Sequence, residues 1–157
     1  MADRKPPRLD AEERDTLCAL LQYQRESLAR KIDGVSEADA RRELVGSGTT
    51  LLWLMQHISD AELLWVVRRF AGEDAGPNDD SVGSGDTVAA AVARYRSTWS
   101  RVDSIVAAAD LDDLCAATGD NVPTNLRWVL AHLLEETARH AGHADILREL
   151  IDGSTGR

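Results

Sequence analysis

Residues 128–153 read WVLAHLLEETARHAGHADILRELIDG. Apolar side chains recur every three or four positions along this stretch, which is the spacing of one face of an α-helix. Asn125 stands before the pattern as a helix start, and Gly153 follows it as a helix stop. The sequence therefore predicts a long C-terminal helix over about residues 125–151.

The rest of the chain repeats this pattern in three further segments. Apolar residues at helical spacing predict long helices over about residues 10–33, 49–71 and 87–109. The first of them opens with Asp10-Ala-Glu-Glu13, which has the form of a capping box. Residues 71–86 are dense in turn formers and acids, and so predict one long exposed connection.

The expected architecture has no sheet. No segment shows the sustained alternation of apolar and polar residues that is typical of a strand. Four long amphipathic helices with one long crossover connection predict an all-α four-helix bundle. A chain of 157 residues has the length of one domain, so we expect residues 1–157 to form a single helical domain.

The charge of the chain and the length of its apolar runs disfavour two classes of binding partner, nucleic acids and membranes. The chain carries 18 Lys and Arg against 27 Asp and Glu, a net charge of -9, which disfavours binding to a nucleic-acid backbone. No apolar run approaches the roughly 20 residues that cross a bilayer, and the N-terminus has no apolar signal-peptide core. We expect a cytoplasmic monomer or homodimer that binds neither nucleic acid nor membrane.

The histidines are distributed unevenly along the chain. His132, His140 and His143 all lie on the predicted C-terminal helix. At about 100° per residue, these three and Glu136 fall within a stripe roughly 80° wide. Glu136 and His140 are one turn apart, so a carboxylate oxygen and an imidazole nitrogen can converge on one cation.

A third ligand has to come from another helix, and His57 is the only histidine elsewhere in the chain. The sequence therefore predicts a metal site formed by His57, Glu136 and His140. Two imidazoles and one carboxylate suit a divalent metal such as zinc or nickel and leave coordination positions open. A water or thiol at such a position loses its proton more easily, which gives a nucleophile near neutral pH.

The other two histidines of the stripe have several interpretations. His143 is a third ligand in place of Glu136, a fourth ligand, or a base beside the metal. His132 lies about 12 Å from His140 along the helix axis, too far for the same metal, so we expect a core or cavity-lining role.

Four further residues lie near the predicted ligands in the sequence. Asp145 is either the acceptor that orients a ligating imidazole or the ion-pair partner of Arg148. Trp53 and Trp65, on the helix of His57, are either core residues, which we favour, or walls on which a substrate stacks. Gly142 costs about 1 kcal/mol relative to alanine in a helix, so it either allows a close approach or has no packing role.

The segment LLWLMQHISDAELLW at residues 51–65, together with residues 128–153, resembles the DinB/YfiT-like superfamily across nearly the whole chain. Members of that superfamily are metal-binding four-helix bundles, and they include thiol S-transferases and mycothiol-dependent maleylpyruvate isomerase. The resemblance matches the metal histidine of their second helix to His57 and their last-helix pair to Glu136 and His140. Many relatives have histidine at the position of Glu136, whereas the isomerase branch is similar to this chain in having glutamate there.

The resemblance implies a metal-dependent enzyme that transfers or uses a low-molecular-weight thiol, such as mycothiol, on a small electrophile. Zinc is the favoured metal and nickel the alternative. In this hypothesis the catalytic residue His143 shuttles a proton, and the Trp-lined end of the bundle receives the electrophile. Two other functions stay open: a non-catalytic metal- or ligand-binding stress-response bundle, and a thiol-independent metal hydrolase.

Overall fold

The computed structural model describes residues 5–77, 79–117 and 122–155. Within these ranges the chain is helical and has no strand, so the predicted all-α class is confirmed. None of the described helices is both long and apolar enough to cross a bilayer. The helices are α1 (Glu13–Ile32), α2 (Glu37–Ala40), α3 (Leu51–Glu62, continued by a π-helical segment over Leu63–Phe70), α4 (Val88–Ala107) and α5 (Leu126–Asp152).

The long helices pack side by side, and α3 lies between α4 and α5 while α1 packs mainly along α5. Helices α3 and α5 run in opposite directions. The Trp53 ring lies 6.3 Å from His140, and the Trp65 ring, further along α3, lies 5.1 Å from Trp128 at the start of α5. Residues early in α3 therefore face residues late in α5.

Two apolar clusters fill the core, and each draws side chains from all four long helical segments. Removing this apolar surface from water is the main force that holds the helices together. The buried members of the first cluster include Leu28, Leu52, Met55, Ile58, Tyr95, Ala144 and Leu147, and those of the second include Leu21, Val66, Phe70, Val102, Val129 and Leu133.

Side-chain caps fix where α3 and α5 begin. The Thr50 hydroxyl accepts a hydrogen bond from the Trp53 N–H at 3.1 Å, and the Asn125 side chain accepts one from the Trp128 N–H at 3.0 Å. Such bonds satisfy backbone donors that the first helical turn leaves without partners. Helix α5 ends at Gly153, which adopts the left-handed conformation with φ of 75°.

The start of α1 differs from the prediction. The helix begins at Glu13, the N-cap position is Glu12, and no side chain caps it. The capping box proposed from Asp10 is therefore wrong, because Asp10 lies before the residue that would have to accept the hydrogen bond.

The second predicted helix changes its geometry halfway. It is α-helical to Glu62, and the following residues form a π-helix in which the Ala71 N–H donates to the Val66 carbonyl at 2.9 Å. A π-helix has wider turns than an α-helix and is frequent at functional sites. Here it carries Trp65 and Arg69.

The connection after the π-helix is tied to the helices at several points. The Arg101 guanidinium donates to Glu73 at 3.0 Å, and the Gln56 amide donates to Asp86 at 2.9 Å. Residue 78 of the predicted exposed connection lies outside the described residues. The tethers bring Asp80 beside α3.

Gly142 lies on the exposed side of α5, and a Cβ built there meets nothing within 4 Å. The interpretation of a close approach at this glycine is therefore wrong. We expect Gly142→Ala to raise the free energy of unfolding by about 1 kcal/mol, because alanine loses less backbone entropy in a helix. Urea denaturation with an unchanged m-value measures this.

The matched control for that substitution is Gly153→Ala. Its φ of 75° is unfavourable for any side chain, so this variant should be less stable than the wild type. A Gly142→Ala protein that unfolds at a lower urea concentration than the wild type would contradict the expectation.

Candidate metal centre

Three predicted ligands meet where α3 faces α5. One ligand atom each from His57, Glu136 and His140 lies within 4.8 Å of the other two. Glu136 Oε1 is 3.4 Å from His57 Nε2 and 3.0 Å from His140 Nε2. The antiparallel packing places the middle of α3 opposite the one-turn pair on α5, so the structure brings together the residues that the histidine spacing singled out.

The chemistry of these atoms fits a divalent cation. The second nitrogen of His57, Nδ1, lies 2.9 Å from Asp80 Oδ2, and the carboxylate can only accept there, so Nδ1 donates. In the neutral ring Nε2 then carries a lone pair, which faces the Glu136 carboxylate. Two acceptors repel each other unless a proton or a cation lies between them. Two imidazole nitrogens and one carboxylate oxygen are a ligand set that zinc accepts.

The charges of the site favour the forms that bind metals. Burial opposes ionisation of Glu136, but interactions with His140 and His57 outweigh it and lower the pKa of this carboxyl. Burial also lowers the pKa of the His140 imidazole, and the Glu136 carboxylate offsets this only in part. At neutral pH the site therefore offers a carboxylate and a neutral imidazole.

The cluster remains open to small molecules. The exposed fractions of the side chains are 27% for His57, 20% for Glu136 and 11% for His140. The Trp53 ring stacks on the His57 ring with centroids 4.6 Å apart and an interplanar angle of 16°. Trp53 thus lies at the edge of the core and supports one ligand, while the other side of the cluster faces solvent.

In both imidazoles of the cluster Nε2 faces Glu136, and the other nitrogen, Nδ1, has a partner of its own. Asp80 lies behind His57, and His143 lies behind His140, with 3.4 Å between the two Nδ1 atoms. Partners of this kind fix the orientation and tautomer of metal-binding histidines. His143 is exposed and lies outside the group of three ligand atoms.

Asp80 is the site residue that sequence reasoning missed. Asp145, which was considered for this role, instead forms an ion pair with Lys31, while Arg148 pairs with Asp152 at 2.8 Å. Both interpretations of Asp145 are therefore wrong. Asp80 belongs to a long acidic connection without periodicity, and nothing in the sequence distinguishes it from its acidic neighbours.

Replacing Asp80 with alanine should weaken metal binding about 10–100-fold, because His57 would lose the acceptor that orients it. Competition with a metal-sensitive dye measures the dissociation constant. Asp79→Ala is the matched control, since this neighbouring carboxylate accepts hydrogen bonds from Ser81 rather than from His57. Equal affinities for the Asp80→Ala and wild-type proteins would remove Asp80 from the site.

Two features flank the cluster along the line where α3 meets α5. On one side a cavity of about 190 Å³ adjoins His143 and is lined by Val45, Ser47, Thr49, Ile146 and Leu147. On the other side lies an aromatic surface formed by Trp65, Trp128 and His132. His132 stacks on Trp128 at 4.9 Å and 14° and meets the Trp65 ring edge-on at 4.7 Å. His132 therefore lies away from the ligand cluster, as the helix rise predicts.

The fold and the cluster define a helical bundle with a His-Glu-His group that can hold a metal ion between two of its helices. The chain belongs to the Mycothiol-S-transferase family, whose pattern it matches over residues 16–153. This membership confirms the resemblance to the DinB/YfiT-like superfamily. Comparison with curated proteins gives no match.

The fold is also similar to a crystal structure of a conserved protein from Enterococcus faecalis, with a TM-score of 0.69. The similarity covers 92% of this chain and 99% of that chain at 15% sequence identity. At this identity the likeness shows the arrangement of the helices and nothing about activity.

Proposed function

We propose that this protein is a metal-dependent enzyme that transfers mycothiol to a small electrophile. The observation that carries the proposal is the convergence of His57, Glu136 and His140 in a chain of the Mycothiol-S-transferase family. A cluster that is open on one side has room for a reactant, which a closed structural site lacks.

Zinc is the metal that we infer for the three ligands, because two imidazoles and one carboxylate are a common catalytic zinc set. Nickel is the alternative. When bound, the ion supplies positive charge that favours the thiolate form of a thiol near neutral pH. The chain supplies the carboxylate and the oriented imidazoles that hold it.

The reaction that we propose makes one bond and breaks one bond at carbon. The thiol sulfur forms a bond to the electrophilic carbon, and the leaving group departs with the electron pair of its former bond. The proton of the thiol passes to a base of the protein. Either the leaving group or solvent takes this proton at the end of the cycle.

His143 is the base that we propose, and its exposed imidazole lies beside His140, with 3.4 Å between the two Nδ1 atoms. We expect His143→Gln to lower kcat by about 10²-fold when enough zinc is present to fill the site, because the glutamine amide cannot take a proton from the thiol. Glu149→Gln, at another exposed position of α5, is the matched control. Steady-state rates and metal analysis of both variants test this role. A His143→Gln enzyme with wild-type kcat would exclude it.

We propose the cavity beside His143 as the site for the electrophile, in place of the Trp-lined end of the bundle that the sequence suggested. Its volume of about 190 Å³ is below the roughly 300–1,000 Å³ of pockets for drug-sized ligands, so it suits a small molecule. Its apolar side chains and the two hydroxyls of Ser47 and Thr49 favour a reactant with one apolar and one polar side.

The direct experiment measures thiol consumption by the zinc-loaded protein in the presence of an alkylating electrophile. Mycothiol, bacillithiol and glutathione are compared, with chelator-treated protein and a thiol-free reaction as controls. We expect consumption of mycothiol that depends on the metal. If no thiol is consumed above the chelator control, the proposal is wrong. Ester cleavage in the thiol-free reaction would instead favour a hydrolase.

A further inference from the structure

We propose that the aromatic surface of Trp65, Trp128 and His132 binds the polyhydroxylated rings of the thiol substrate. This inference rests on the proposed function and assigns a place to the part of mycothiol that does not react. Mycothiol is a cysteinyl thiol joined to a pair of polyhydroxylated rings. The sulfur has to reach the metal cluster, so the rings need a surface beside it.

The aromatic surface lies on the same pair of helices as the metal cluster. His132 lies one turn before Glu136 on α5, about 6 Å away along the helix axis. Trp65 lies about two turns after His57 on the opposite helix. The antiparallel packing of α3 and α5 therefore places the aromatic side chains and the cluster along one line, with the electrophile cavity at its other end.

The aromatic surface reaches solvent, although Trp65 also packs against the second apolar cluster. Trp128 is 44% exposed, and Trp65 and His132 are half-buried. The His132 ring stacks on the Trp128 indole at 14°, and 44% of this tryptophan still stays exposed, which leaves aromatic area at the surface for a ligand. Exposing so much apolar area costs free energy that contact with a ligand would recover.

The chemistry of this surface fits a sugar-like ring better than an anion or a purely apolar group. The C–H faces of such a ring can pack on an indole face, while its hydroxyls need donors and acceptors at the rim. The Arg69 guanidinium lies over the Trp65 ring, 4.1 Å from its centroid, and supplies N–H donors there. The π-helix carries both residues, and their positions depend on its wide turns.

Binding measurements test the assignment without requiring turnover. Calorimetry of the zinc-loaded protein compares mycothiol with N-acetylcysteine, a thiol that lacks the rings. We expect Trp128→Ala to weaken mycothiol binding about tenfold and to leave N-acetylcysteine binding unchanged, since a stacking contact is worth about 1.4 kcal/mol. Trp128→Phe, which keeps an aromatic face, should recover most of the affinity.

Leu150→Ala is the matched control, because Leu150 is a 51% exposed apolar residue of α5 far from the cluster. Unchanged mycothiol affinity in Trp128→Ala, or an equal loss for both thiols, would overturn the inference. A rise in KM for the electrophile alone would assign the surface to that substrate instead. If mycothiol binds through Trp128 but no thiol is consumed, the inference stands and the proposed function fails.

Discussion

Replacing His140 with alanine should abolish tight metal binding and, with it, metal-dependent thiol consumption. His140 supplies one of three ligand atoms and is the least exposed of them. Zinc sites with four protein ligands bind with about 10–16 kcal/mol, an average of about 2.5–4 kcal/mol per ligand. Loss of one ligand should therefore weaken binding roughly 10²- to 10³-fold. Competition titration measures the affinity, and the thiol assay measures the rate.

The control for this substitution is Glu135→Gln on the same helix. Glu135 neighbours Glu136 in sequence but points outward and pairs with Arg139 at 2.5 Å. It should retain wild-type affinity and rate. A His140→Ala protein that still binds zinc as tightly as the wild type would show that the metal lies elsewhere.

Replacing Glu62 with alanine should lower the free energy of unfolding by about 3–5 kcal/mol, because it leaves the guanidinium of Arg25 buried without its main partner. Arg25 donates to both oxygens of Glu62, at 2.9 and 2.6 Å, and to Asp103 at 2.8 Å. Burial raises the pKa of Glu62 and the nearby guanidinium opposes this shift. A loss of this size is a large share of the roughly 5–15 kcal/mol that stabilises a native domain.

Chemical denaturation of the metal-free protein measures this effect separately from the metal site. Glu135→Ala is the matched control, because its partner Arg139 is exposed and such pairs contribute little. The double variant Arg25→Met with Glu62→Met should recover most of the stability, since it leaves neither charge in the core. A Glu62→Ala protein as stable as the Glu135→Ala control would contradict the expected loss.

The helices could be predicted because their signals are local. The apolar periodicity of α5, its Asn125 cap and the glycine at its end follow from residues a few positions apart. The π-helix at Leu63–Phe70 has no such signal, because its apolar residues fit an α-helix equally well. The buried charges Arg25 and Lys31 were missed for a related reason. Their partners Glu62 and Asp145 lie on other helices, so only the folded packing reveals them.

In the candidate site, too, some residues could be predicted from the sequence and others are revealed only by the folded packing. His57, Glu136 and His140 stand out because two of them share a helical face and the third is the remaining histidine. Asp80 could not be found in this way, since a loop residue reaches His57 only through tethers made far along the chain. Trp65 packs against the second apolar cluster, in keeping with the core role expected for it, whereas the exposure of Trp128 on the same aromatic surface could not be predicted.

Metal analysis of freshly purified protein, side by side with the His57→Ala variant, tests most directly whether one divalent ion joins α3 to α5. Native mass spectrometry gives the number of ions per chain, and elemental analysis identifies them. We predict close to one zinc or nickel ion per wild-type chain and almost none in the variant. Equal metal content in the two proteins, or none in either after incubation with zinc, would contradict a shared site.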